Sequence, residues 1–119
     1  MMNPRSLALA VAIAVSPILA HAQSAAPSGD VAHGKRIFAA DGCYQCHGRA
    51  AQGARPTGPR LARTELPYNA FVQQLRQPSD VMPPYTRVVL SDKDIADIYA
   101  YVKSLPEPPK VADIPLLQH

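Results

Sequence analysis

The clearest hydrophobic pattern in the chain lies near its end. Ile95, Ile98, Tyr99, Val102 and Leu105 recur three and four positions apart, the spacing of one helical face. Ser91 precedes them with a hydroxyl suited to an N-cap, Asp94 three residues on completes an approximate capping box, and Pro106 ends the pattern. A helix is therefore predicted over residues 91–105. An earlier pattern puts Val31, Ile37 and Phe38 on one face, with Gly34 one turn before Phe38. Asp30 suits the cap or first turn of that helix, and Gly42 can take the left-handed conformation after its last turn. Between the two, Phe71, Val72 and Leu75 make a short face that Pro67 can open and Pro78 stops. Glycines and prolines break any period over residues 48–66, and residues 79–90 likewise read as loop.

The most continuous apolar run, residues 7–20, has different surroundings. A start carrying Arg5 precedes it and Ala20-His21-Ala22 follows, which is the order of a secretory signal with cleavage after Ala22. Ser16 and Pro17 interrupt the run, and it falls short of the roughly 20 apolar residues that span a bilayer. The expected organisation is a signal peptide at 1–22, a flexible linker at 23–29, a folded domain at 30–105 and a proline-rich tail at 106–119. The mature protein is expected in the periplasm, soluble and with no stable membrane insertion.

Composition sharpens this picture. Thirteen prolines in 119 residues is about twice the usual share of roughly 5%, so much of the chain runs as turns and extended segments. Five tyrosines, two phenylalanines and no tryptophan leave a small core short of bulk, which favours a large apolar group that is not an amino acid. Net charge is +3 and falls by one when Arg5 leaves with the signal, too weak a field for nucleic-acid binding. The distribution is more telling: no acid lies between Asp41 and Glu65, whereas Arg49, Arg55, Arg60 and Arg63 do. That stretch offers a positive face for an acidic partner.

The only two cysteines stand in Cys43-Tyr44-Gln45-Cys46-His47, just after the first helix. Two thiols three residues apart on one turn can each add to a vinyl group of one porphyrin, and the adjoining histidine then lies beneath the iron as a ligand. A structural zinc site would need four protein ligands, more than the remaining cysteines and histidines supply convincingly, and a redox-active thiol pair wants a βαβ setting that this helix-and-loop chain lacks. A plain disulfide is the blandest competitor. For a second iron ligand, Met82 is the one methionine left after the signal, stiffened by Pro83-Pro84. A lone methionine also serves as core filler. His33, on the first helix, and the terminal His119 are the other nitrogen donors, and both read more naturally as surface residues.

In these residues the chain resembles class I c-type cytochromes, the small single-haem family, over nearly the whole mature sequence. In that family a glycine and an aromatic four residues later on the first helix cross an aromatic on the last, and Gly34 and Phe38, with Ile98 and Tyr101, occupy matching places. Gly58-Pro59-Arg60-Leu61 is similar to the family's Gly-Pro-x-Leu stretch, which gives Pro59 the role of accepting a hydrogen bond from the second nitrogen of the axial histidine. Met82-Pro83-Pro84-Tyr85 is similar to its methionine loop. The tail departs from the pattern by running past the last helix. The resemblance implies an all-α cytochrome c fold, three to four helices with long Pro/Gly-rich loops around one covalently attached haem c. It further implies a cofactor site of Cys43, Cys46, His47, Pro59, Leu61 and Met82, with His47 and Met82 on the iron.

An iron closed by histidine and methionine has no free position for a substrate, so one-electron transfer between redox protein partners is the expected activity, with no catalysis at the metal. Two other functions fit less closely. One is a dedicated electron-accepting subunit of an exported dehydrogenase or oxidoreductase, for which Ile114-Pro115-Leu116-Leu117 would be a docking segment, although these four residues read more readily as folding back on their own domain. The other is a five-coordinate haem sensor, which requires Met82 to leave the iron free.

Overall fold

The computed structural model describes residues 25–118. The expected signal peptide and His119 lie outside them. Among the described residues there are four α-helices and no strand: α1 (Val31–Ala40), α2 (Cys43–His47), α3 (Tyr68–Arg76) and α4 (Asp92–Ser104). No helix among them is long and apolar enough to cross a membrane.

The caps follow from side-chain chemistry. Asp30 accepts a hydrogen bond from the His33 amide at 2.9 Å and starts α1. At α4 the capping box is complete: Ser91 Oγ accepts from the Asp94 amide at 3.1 Å, and Asp94 Oδ2 accepts from the Ser91 amide at 3.0 Å. Pro67 stands at the N-cap of α3, one position earlier than the sequence suggests, and α3 ends before Pro78. α1 ends at Ala40, and Gly42, at φ 75°, turns the chain directly into α2.

The first and last helices cross and carry the core. Phe38, Leu90, Ile95, Ile98 and Val102 are fully buried around that crossing. Gly34 makes it possible, since a Cβ there would overlap the main-chain carbonyl of Asp97 on α4. One turn on, the Phe38 and Tyr101 rings meet edge to face, centroids 5.5 Å apart. Gly29, read as the last linker residue, already lies against α4 at Ala96. α3 reaches α4 through Tyr99, whose ring packs at 5.1 Å from Phe71 and 5.3 Å from Tyr68.

Asp97, 1% exposed, braces the same crossing. Its Oδ1 accepts from the Asp30 amide at 2.7 Å, and its Oδ2 from Lys93 Nζ at 2.6 Å and His33 Nδ1 at 2.8 Å. Burial pushes its pKa up, but these donors outweigh that and hold it down to about 2. His33, read from sequence as a surface residue, is thus half-buried and tied to α4. His33, Asp94 and Asp97 are also metal-ligating residue types close together, yet the Lys93 ammonium already occupies the cation's place beside Asp97.

The tail is more ordered than an extended strap. Two 3-10 turns, Val111–Asp113 and Pro115–Leu117, follow the prolines, and the Gln118 side-chain amide donates back to the Val111 carbonyl at 2.7 Å. The turns pack on each other and on none of the four helices. Leu116, 82% exposed, and Leu117 face solvent, so the apolar segment does not fold back onto its domain.

Candidate functional site

α2 is a single helical turn, and it brings the Cys43, Cys46 and His47 side chains to one wall of a cavity of about 600 Å³. The two sulfurs are not bonded to each other. Cys46 is exposed and Cys43 half-buried, where burial first and the nearby Asp41 charge second push its thiol up to about 11. His47 is 8% exposed.

The loop after α2 holds the imidazole. Its backbone returns beneath the helix through Gly53 N to His47 O at 2.8 Å, and Thr57 Oγ1 donates to the Cys46 carbonyl at 3.2 Å. This brings the Pro59 carbonyl to 2.8 Å from His47 Nδ1. A carbonyl only accepts, so Nδ1 must carry the ring proton, leaving Nε2 with a lone pair. Gly58 permits the approach: a Cβ there would stand 2.5 Å from the Cys46 carbonyl oxygen and 3.0 Å from His47 Nδ1. Farther along, the loop is pinned to α4 by Arg63 N to Val102 O at 2.7 Å and Tyr99 Oη to Leu66 O at 2.8 Å, which sets Leu61 and Leu66 on the cavity wall.

Met82, from the loop between α3 and α4, lines the same cavity. All six residues singled out from the sequence, Cys43, Cys46, His47, Pro59, Leu61 and Met82, therefore border one space. Phe38, Phe71, Leu75 and Ile98 supply apolar walls, a role beyond the helix packing that their spacing in the sequence indicates. Sequence reasoning did not single out Gln74, whose Nε2 lies 3.9 Å from Met82 Sδ, or Tyr85 as a wall residue whose hydroxyl donates to the Asp41 carbonyl at 3.3 Å. Gln74 has no signature in sequence, since its amide matters only through a contact across a loop. Burial and the nearby Cys43 push the Tyr85 phenol up to about 12.

The four arginines of the acid-free stretch are all exposed, and three have local company. Arg49 lies over the Tyr44 ring at 5.0 Å, Arg60 Nε donates to the Ala62 carbonyl at 3.2 Å, and Arg63 stands 3.5 Å from Glu107.

The cavity suits a large flat apolar cofactor: its size falls within the roughly 300–1,000 Å³ of small-molecule sites, its walls are mainly apolar, and two thiols and a correctly protonated imidazole share one edge. Fold and site together define a small all-α cytochrome of the c type. The chain belongs to the family described as cytochrome C oxidase, cbb3-type, subunit III, whose model matches residues 29–102. No curated protein matches the chain. It is a haem-based electron-transfer protein whose domain implies covalently bound haem c, and the Cys43 and Cys46 pair fits the attachment site.

Proposed function

We propose that this cytochrome is an exported, freely diffusing one-electron carrier of the periplasm, with its haem iron held between His47 and Met82. When bound, the haem supplies a one-electron iron couple. The observation that carries the reading is that His47, its Nδ1 proton committed to Pro59, and Met82 border the same cavity. His47 is kept in one tautomer and orientation by the Pro59 carbonyl, and a thioether in an apolar pocket favours the lower-charged ferrous state, raising the potential. Leu66 and Val81, both exposed, edge the cavity and make an apolar rim where a partner can approach. Arg49, Arg55, Arg60 and Arg63 add a positive field that speeds encounter with an acidic partner.

The test is spectroscopic. In protein purified from the exported fraction, the ferrous wild type is expected to bind carbon monoxide slowly, and Met82→Ala to bind it rapidly and to have a lower potential. Rapid binding by the wild type, with a potential unchanged by the substitution, would instead support a five-coordinate sensor.

A second reading is a dedicated subunit of a larger redox enzyme. The family description names an oxidase subunit, and the exposed Leu116 and Leu117 offer a docking segment beyond the matched residues.

A further inference from the structure

Met82 sits in a segment with little hold on the rest of the molecule. No backbone-to-backbone hydrogen bond anchors residues 78–84 to another part of the described chain, so apart from the Ser79 and Met82 side-chain contacts with Gln74 the place of Met82 is set at the two roots of its loop. At the first root, Gln77 N donates to Gln73 O at 2.8 Å, continuing α3. The second root, three residues past Met82, is held by α3 as well. Tyr85 N donates to Leu75 O at 2.8 Å, and the Arg76 guanidinium does the rest.

Arg76 is the last residue of α3, and its side chain is 13% exposed. Its Nη1 donates to the Tyr85 carbonyl and the Leu90 carbonyl, each at 2.8 Å, while Nη2 reaches Asp92 Oδ1 at 2.7 Å. One planar fork thus ties both ends of the 85–90 segment and the start of α4 back to α3. The fit has a penalty, because Nε is buried with no partner and a desolvated donor left unpaired is destabilising. A helix-terminal arginine free to point into water would not carry that penalty.

We propose that Arg76 is a positioning residue for Met82: its fork closes the methionine loop onto α3, so that the thioether is presented to the cavity and does not swing away. The inference rests on Met82 being an iron ligand. Gln74 complements the latch from the same helix. Ser79 Oγ donates to Gln74 Oε1 at 3.3 Å, which turns the amide so that Nε2 faces Met82 Sδ. A neutral replacement of Arg76 leaves the Tyr85 N to Leu75 O bond but frees the Tyr85 and Leu90 carbonyls, and the loop then opens more often.

The experiment uses the haem-loaded protein and compares wild type, Met82→Ala, Arg76→Gln and Arg76→Lys. Arg76→Gln is expected to bind carbon monoxide about tenfold faster than wild type, because the binding rate follows the population of the open loop. Its potential should move toward that of Met82→Ala, and it should lose part of the weak red band that ferric haem shows only with a thioether ligand. Arg76→Lys keeps the charge but cannot span three acceptors, and is expected to lie between. If Arg76→Gln does not accumulate, Arg76→Lys decides on the same readouts. Wild-type carbon monoxide kinetics and potential in the arginine variants, even with a lowered Tm, would overturn the proposal and leave Arg76 a purely structural residue. Unchanged kinetics in Met82→Ala would strike down the ligand assignment itself, whatever the arginine variants do.

Discussion

At the crossing of α1 and α4, Asp97 keeps a carboxylate almost wholly out of water and still ionised, because three donors converge on it. Its folded pKa of about 2 lies below the ordinary 3.8, so its contribution to stability is full above about pH 4 and is lost as pH falls through 2. Asp97→Asn is expected to lower stability at neutral pH by roughly 1–3 kcal/mol, the scale of a charged hydrogen bond. It should also flatten the acid limb, which urea unfolding of both proteins between pH 2 and 7 checks. Single residues differ in how far the sequence discloses them. Cys43, Cys46 and His47 are neighbours in the chain, so their chemistry is visible as spacing, and Met82 stands out by count. Pro59 is legible only through its family's pattern. Asp97, Gln74 and Arg76 act through partners far along the chain or across a loop, and a charged residue on or at the end of a helix reads by default as solvated.

Elements were legible where periodicity and punctuation agree. α4 has both, with its apolar spacing, the Ser91–Asp94 box and Pro106 beyond, and it forms where expected. α2, at five residues, is too short to show a period, so the helical turn that presents both thiols was implied only by the motif. The 3-10 turns of the tail were hidden because proline-rich composition signals extension, while the Gln118 side chain that locks them depends on geometry no local pattern carries. The tightest demand on any element is the close approach of α1 to α4. Gly34→Ala is expected to destabilise the fold by about 1–3 kcal/mol, because the added methyl must displace α4 backbone at Asp97. Thermal unfolding of the haem-loaded variant checks this, and a Tm equal to wild type would mean that the helices can part without penalty.

On the scale of the whole molecule, the domain and its tail are separable in what they do. Among the described residues the turns of 111–117 pack on none of the four helices, and the one ion pair joining the tail to the domain is Glu107 with Arg63 at 3.5 Å, between exposed side chains. Such pairs contribute roughly 0–1 kcal/mol. Removal of residues 106–119 is therefore expected to leave Tm, spectrum and potential unchanged. If the protein is a dedicated subunit, the same truncation should release it from a larger complex on size-exclusion chromatography of native extract. If it is a free carrier, full-length and truncated proteins should both migrate alone.

The crossing of α1 with α4 also dictates an order of events. α1 has its main packing partner in the last helix of the domain, so it cannot complete its packing until nearly the whole domain is available to fold. Until then the turn bearing Cys43 and Cys46 cannot be sealed beneath finished walls, and both thiols stay open to chemistry from outside.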